Sequence, residues 1–500
     1  MIKNCKNLRE RPLKKLLATI VTMLALSACS VPVDESASSN ASAPGAPGDA
    51  PTWANAQKRA IGTSYEAYDA NGGFSDQSPT APISKVWFSA GEDRITEVMW
   101  GLIHEAQIRE IQVLLIGPDG VVAPSDHDLL IDGDPRPRAP STSLINSYAD
   151  IGLALEIKAI TDPDRDALIV TVSASNPIPE SYTVFASLDP ALANTGSNDR
   201  AQIVDNGLYA YEGDAHLFAR QVSDATIEAT VGYQGVSDGM ADLADGVLDT
   251  PYLLATEAGN VAGTIALDFS SASPTGNASA ALVIGFGETF EAAKSVAQSS
   301  AATPISRSYE TYVSQWEDYL ASLSKLPVIA EASGDNGAQA YMSAINLKIM
   351  EDKTYAGALI ASLSNPWGET APAEQPQTGY KAVWPRDFFQ VASAFVAMGD
   401  AETARAAYRY LPTVQVTEDT PGNSGVTGWF LQKTHVDGEI EWVAIQQDQT
   451  AMPILLGWQL WQLGVISDEE MAESYLTMLE PAADFLVEGG RPNILWNTEF

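Results

Sequence analysis

Between residues 50 and 303 the apolar positions come in short runs, among them "KVWFSA", "RITEVMW", "IREIQVLLIG", "LALEIKAI", "ALIVTVSA", "YTVFASL", "LYAYEG", "TIEATVGY", "GTIALDF" and "SAALVIGFG". The runs are rich in β-branched and aromatic residues, and clusters of Gly, Pro, Asn and Asp separate them. This many strands with turn signals predicts a large β-sandwich over 50–305. From residue 306 the period changes. "SRSYETYVSQWEDYLASLSKL" (306–326) repeats its apolar positions at helical spacing, and further helices are predicted near 337–350, 386–398, 401–411, 446–463 and 468–488. The segment 412–439 is too long for a simple connector, as functional loops often are. A helical domain is therefore expected from about Ala330 to the last residue.

The first residues follow another logic. "MIKNCKNLRERPLKK" is basic, "LLATIVTMLAL" is apolar but too short to span a bilayer, and "SACS" follows. Residues 1–28 read as a secretory signal. Leu26-Ser27-Ala28-Cys29 resembles a bacterial lipobox, which implies cleavage before Cys29 and acylation of its thiol; a plain signal peptide cut nearby is the alternative. The expected location is the periplasm or the outer membrane, with the membrane met only through the lipid. Residues 29–49 are poor in large apolar side chains and read as a flexible tether. Cys5 and Cys29 are the only cysteines, so the exported chain forms no internal disulfide.

Charge narrows the partners. Twenty-eight basic residues stand against 64 acidic ones, a net charge of −36. The signal segment holds six of the bases and one acid, so the remainder carries −41. Such a surface repels nucleic acid and anionic lipid, and its self-repulsion falls in salt. The four histidines, at 104, 127, 216 and 435, are scattered, and neither a zinc motif nor a nucleotide-binding glycine loop occurs. No metal site and no cofactor are expected. "DHDLLIDGD" (126–134) gathers oxygen ligands without EF-hand spacing and reads as a polar loop, with a structural calcium site as the alternative. "GVSDG" (235–239) matches the serine-hydrolase elbow, but it lies among strands and reads as a turn.

The second half carries the candidate chemistry. In "GYKAVWPRDFFQVASAFVAMGD" (379–400), Pro385 suits a first helical position and Asp387 the first turn. That grammar leaves Trp384 and Arg386 unexplained. Trp442 likewise precedes a helix start, and Asp448 follows it. Trp458 and Trp461, three apart within a predicted helix, read as core. Aromatic faces pack on sugar rings, and Arg/Asp pairs bond hydroxyls from both the donor and the acceptor side. On chemistry alone a carbohydrate site competes here with helix capping and core packing.

"MEDKTYAGALIASLSNPWGE" (350–369), "GYKAVWPRDFFQ" and "WVAIQQDQTAMPILL" resemble the bacterial glucoamylases of glycoside hydrolase family 15. "APGAPGDAPTWANAQKRAIGTSY", "SKVWFSAGEDRITEV" and "VGYQGVSDGMADL" resemble the N-terminal domain of the same enzymes. The resemblance covers most of residues 43–490. It implies a multidomain β + α chain: the sandwich, a linker helix (306–329) and the N-terminal part of an (α/α)6 barrel (330–500). It implies inverting release of glucose from the non-reducing ends of α-glucans or maltooligosaccharides. Arg386 and Asp387 would bind hydroxyls of the terminal glucose, Trp384 would line that subsite, Trp442 would pack near the cleavage point, and Asp448 would support the polar network.

Inverting hydrolysis also needs a carboxylic acid and a carboxylate roughly 6.5–9.5 Å apart. The family's acid follows Trp in a motif like E-R-W-E-E, whereas "GGRPNILWNTEF" places Asn497 after Trp496, and an amide supplies no proton. The general acid and base are therefore expected beyond Phe500. The helices predicted here make about half of such a barrel, whose inner apolar face would stay uncovered. This predicts a chain that does not itself hydrolyse. A non-catalytic glycan-binding lipoprotein and an α-1,6-specific glucodextranase are the alternatives.

Overall fold

The computed structural model describes residues 42–74, 83–133, 135–269, 271–272, 278–375, 379–423 and 425–489. The predicted signal, Cys29, Trp496 and Asn497 lie outside them. Two antiparallel sheets, of eight and ten strands among the described residues, fill the first part of the chain. The central strands of the first are Val86–Ala90, Arg94–Trp100, Ala106–Gly117, Thr183–Pro190 and Val261–Ala266. The second runs from Leu254–Gly259 through Gly207–Glu212, Ala215–Gln221, Ala278–Gly287, Ala167–Ala174 and Leu153–Thr161 to the edge strand Asp126–Ile131.

Side chains on a strand alternate between faces, and here both faces are covered. Val86, Phe88, Val98, Leu115 and Leu188 of the first sheet meet Leu155, Val170, Leu217, Leu282 and Ile284 of the second in one apolar layer. The alternate positions join the helices instead. Trp87, Met99, Ile169, Tyr209, Phe218 and Val283 belong to the same cluster as Trp316, Phe388, Phe395 and Leu456. This explains why Val86–Ala90 is buried at every position.

The helices from 305 onward lie close to expectation: Ile305–Ser322, Ala338–Ile349, Pro385–Met398, Ala401–Tyr410 and Gln447–Gln462. Four features depart from it. A helix at Phe290–Ala302 precedes the first one expected, and its buried face is Ala293, Ala297 and Ser300, too small to give a strong apolar period. It lies hard against the sheet: a Cβ at Gly285 would stand 2.5 Å from the Ala293 carbonyl oxygen. The predicted helix 468–488 breaks into Asp468–Ser474 and Glu480–Val487 around a wide π turn, Tyr475–Leu479, with Pro481 just beyond it. Residues 126–131 form an exposed edge strand rather than a loop, paired with Thr142–Tyr148 and held by a 2.9 Å contact between His127 Nδ1 and Asn146 Oδ1. Trp458 and Trp461 are 56% and 37% exposed, because Leu456, Gly457 and Leu460 form the buried face of their helix. Among the described residues no helix is long and apolar enough to cross a membrane.

Sheets and helices are joined by charge as well as by apolar contact. Glu97, on a central strand, is fully buried; Lys381 Nζ bonds its Oε1 at 2.7 Å, and Lys58 Nζ stands 3.1 Å from Oε2. Burial alone would raise the Glu97 carboxyl, but the two lysines outweigh it and hold it below the ordinary carboxylate value. Lys353 donates to Thr63 Oγ1 and the Ser84 carbonyl, both at 2.6 Å. Lys348 donates to the Tyr68 hydroxyl at 3.2 Å as well as to Thr403 Oγ1 at 2.8 Å and Glu351 Oε2 at 2.5 Å. Asp352 accepts the Ile103 amide at 2.9 Å, and Trp316 Nε1 donates to the Thr63 carbonyl at 2.9 Å. "GVSDG" is a turn in which Ser237 Oγ donates to the Pro44 carbonyl at 2.7 Å.

Of the nine lysines from residue 42 onward, five (58, 348, 353, 381 and 433) have side chains no more than 5% exposed. Removing one partner of such a group strands the others, at about 3–5 kcal/mol. Glu97→Gln is therefore expected to lower urea stability at pH 7 by about that amount. A depressed carboxyl contributes stability above its unfolded pKa and loses it as pH falls through its folded value. The gap between wild type and Glu97→Gln should accordingly narrow below about pH 4, as urea titrations at several pH values will show.

Candidate functional site

Two helices begin side by side. Trp384 is the extended residue before Pro385–Met398, Pro385 takes the first position, and the Phe388 amide returns to the Trp384 carbonyl at 2.8 Å. Gln446 precedes Gln447–Gln462 in the same way, and Asp448 lies in the first turn. Along their length the two helices meet where Ser393 Oγ donates to Gln459 Oε1 at 3.1 Å. Both ends carry the partial positive charge of a helix start.

Arg386 ties the two starts together. Its Nη1 donates to Gln446 Oε1 at 2.7 Å and to Asp448 Oδ2 at 3.0 Å, and its Nε stands 3.6 Å from Asp387 Oδ2. The side chains of Arg386, Asp387 and Asp448 are 39%, 45% and 42% exposed. Beneath them Gln449 is fully buried; its Oε1 accepts the Arg386 amide at 2.7 Å, and its Nε2 donates to Gln446 Oε1 at 3.1 Å. Donors and acceptors thus stand together at a surface that water and a polar ligand can reach.

Trp384 is set beside this cluster by the strand pair that follows the long loop. Val383 and Thr434 exchange backbone hydrogen bonds at 2.8 and 3.2 Å, which fixes the hairpin Lys433–Thr434/Ile440–Trp442 against the helix start. Lys433, 4% exposed, places its Nζ 4.9 Å from the centre of the Trp384 ring, donates to the Gly379 carbonyl at 2.9 Å and closes on Glu441. Tyr380 packs at the same ring, with centroids 5.8 Å apart. Trp442 stands opposite Lys433 in the hairpin register and is 53% exposed. Among the described residues its ring stacks on no other.

The fold therefore brings Arg386, Asp387 and Asp448 into one network, sets Trp384 next to it and leaves Trp442 on the neighbouring hairpin. Cys29 lies outside the described residues. Gln446, Gln449, Lys433 and Tyr380 are participants that sequence reasoning missed. "QQDQ" at a helix start marks Gln446 and Gln449 only as capping residues, and nothing near Lys433 in sequence shows that it is buried over an indole. Conversely Glu351, Asp352 and Lys353, inside a stretch that carries the family resemblance, hold the sheets and helices together rather than this cluster.

Residues 43–321 match the family model described as Glucodextranase, domain N, and residues 336–488 match Glycosyl hydrolases family 15. The chain is 26% identical over 491 residues to a glucoamylase of Clostridium sp. (strain G0005), covering 97% of itself and 63% of that protein. A crystal structure of a bacterial glucoamylase complexed with acarbose superposes with a TM-score of 0.74 at 26% identity, over 90% of this chain and 61% of that one. The chain thus spans a little over three-fifths of the length of either relative.

The geometry separates a buried support from an exposed contact. Gln449→Leu removes two hydrogen bonds inside the protein and should cost about 1–3 kcal/mol. Asp448→Asn alters one half-exposed ion pair and should cost less than about 1 kcal/mol. Urea titration of the two variants side by side checks the ranking.

Proposed function

Since the chain belongs to the glucodextranase domain N family and runs on into a family 15 glycosyl hydrolase segment, we propose that it serves an exo-acting, inverting glycoside hydrolase of the glucan 1,4-α-glucosidase type. The substrate is the non-reducing end of an α-glucan or maltooligosaccharide. The observation that carries this reading is the convergence of two helix starts on Arg386, with Asp387 and Asp448 beside it and the Trp384 indole adjacent. The guanidinium supplies donors to sugar hydroxyls, the carboxylates supply acceptors, and the indole supplies a flat apolar face. Asp387 and Asp448 stand beside Arg386 and serve as holders of glucose. Protonating the leaving oxygen and activating water fall to other carboxyl groups. Trp442, exposed on the neighbouring hairpin, lies toward the next sugar.

The two sheets sharing one apolar layer support a β-sandwich at 50–305, Ile305–Ser322 supports a linker helix within 306–329, and the later helices support part of an (α/α)6 barrel over 330–500. The reading includes a signal at 1–28, a tether at 29–49, lipid attachment at Cys29 and a place in the periplasm or on the outer membrane, all resting on sequence pattern. The chemistry needs no cofactor and no nucleic acid partner. The domain N match favours one second reading, a glucodextranase acting on α-1,6 links.

The test is glucose release by the whole exported protein from maltotriose and from isomaltotriose. Release from maltotriose with an inverted anomer is expected, with Asp387→Ala and Arg386→Ala each lowering kcat/KM by about 100-fold or more, a loss near 2.7 kcal/mol. Release from isomaltotriose alone selects the second reading. Binding without release makes the protein a glycan-capturing one, and full activity in Asp387→Ala overturns the site.

A further inference from the structure

Two of the four histidines, far apart in sequence, meet in the fold: the rings of His104 and His435 lie 4.5 Å apart, centre to centre. His435 opens the tight turn of the hairpin next to Trp384, and Asp437 and Glu439 complete it. The turn is closed by the His435 amide on the Glu439 carbonyl at 2.8 Å and by the Glu439 amide on Asp437 Oδ1 at 2.9 Å, with Gly438 at a φ of 89° that favours glycine. One ligand atom from each of His435, Asp437 and Glu439 lies within 4.8 Å of the others.

Three further observations point to a ligand. His435 Nδ1 is 3.7 Å from Glu439 Oε2; two ligands of a tetrahedral zinc, each about 2.0–2.1 Å from the metal, stand about 3.4 Å apart. The other ring nitrogen, Nε2, faces Glu441 Oε2 at 3.5 Å, and Glu441 is itself closed on by buried Lys433. An outer carboxylate placed in this way takes the N–H of a metal-binding imidazole and leaves the opposite lone pair for the metal. Last, His104 is 4% exposed, and its Nδ1 has no hydrogen-bond partner among the described residues. A buried nitrogen left unbonded is costly. His104, His435 and Glu439 line a cleft of about 820 Å³ through which an ion can enter.

We propose that His435, Asp437 and Glu439 bind one divalent transition cation of the zinc class. An imidazole among carboxylates favours zinc over calcium, which takes oxygen ligands. The ion closes the turn of the hairpin that carries Lys433 and Trp442, beside the candidate sugar site. The inference is independent of the proposed activity, because its readout is metal binding.

The experiment is titration of zinc into the chelator-stripped protein, followed by calorimetry and by metal analysis after gel filtration. One zinc per chain and a raised unfolding temperature are expected. Glu439→Gln alters a side chain that is 72% exposed, so it should keep its far-UV circular dichroism while binding about 100-fold more weakly; His435→Ala should bind no better. Glu441→Gln should weaken binding about 10–100-fold, the effect of losing an outer partner. No zinc retained by the folded wild type, calcium retained in its place, or equal binding by wild type and Glu439→Gln would each overturn the site.

Discussion

One buried carboxylate, Glu97, with a lysine on each oxygen, sets the geometry on which the helical half depends. It projects from the middle of a sheet strand, and Lys381, which binds it, lies three residues before Trp384 and five before Arg386. Between them Val383 pairs with Thr434 and draws in the hairpin that carries Lys433 and Trp442. The indole, the guanidinium and the hairpin are thus all measured off the sheet through a few residues of extended chain. A slip of the sheets against the helices would have to break an ion pair out of contact with water, where restoring forces are large.

The same logic recurs along the segment 53–69, which runs between the two halves. Apolar contact has little directional preference, and the large cluster shared by sheets and helices would tolerate small rotations. Charged hydrogen bonds do not. Lys353 on Thr63 and Ser84, Lys348 on Tyr68, and Asp352 on the Ile103 amide each demand a particular angle as well as a distance. Apolar area supplies the strength of this interface, and the buried charges supply its register.

How much of this could be read beforehand depended on how local the cause was. Pro385 and Asp387 announced a helix start because their preferences act within one turn, and the starts of Ile305–Ser322 and Gln447–Gln462 followed from apolar period, whereas the end expected at 326 falls at Ser322 and a separate helix begins at Leu326. Arg386, Trp384 and Asp448 were legible as site candidates through family resemblance, which carries tertiary information that spacing lacks. Gln449 and Lys433 were not, since their roles are set by partners dozens of residues away. Helix Phe290–Ala302 was missed because alanines and glycines bury it without leaving a strong hydrophobic trace. The meeting of His104 with His435 is invisible to any motif search, because the two come from separate turns joined only by the fold.

The lysines leave a last consequence. Five of the nine from residue 42 onward are sealed inside, so the acidic exterior has few amines to offer. Reagents that acylate primary amines, or resins that capture them, will meet the intact protein at a handful of points. When the sheets part from the helices, the hidden amines become reactive together. Lysine chemistry, ordinarily a map of surface, becomes in this molecule a gauge of whether its interior seam is closed.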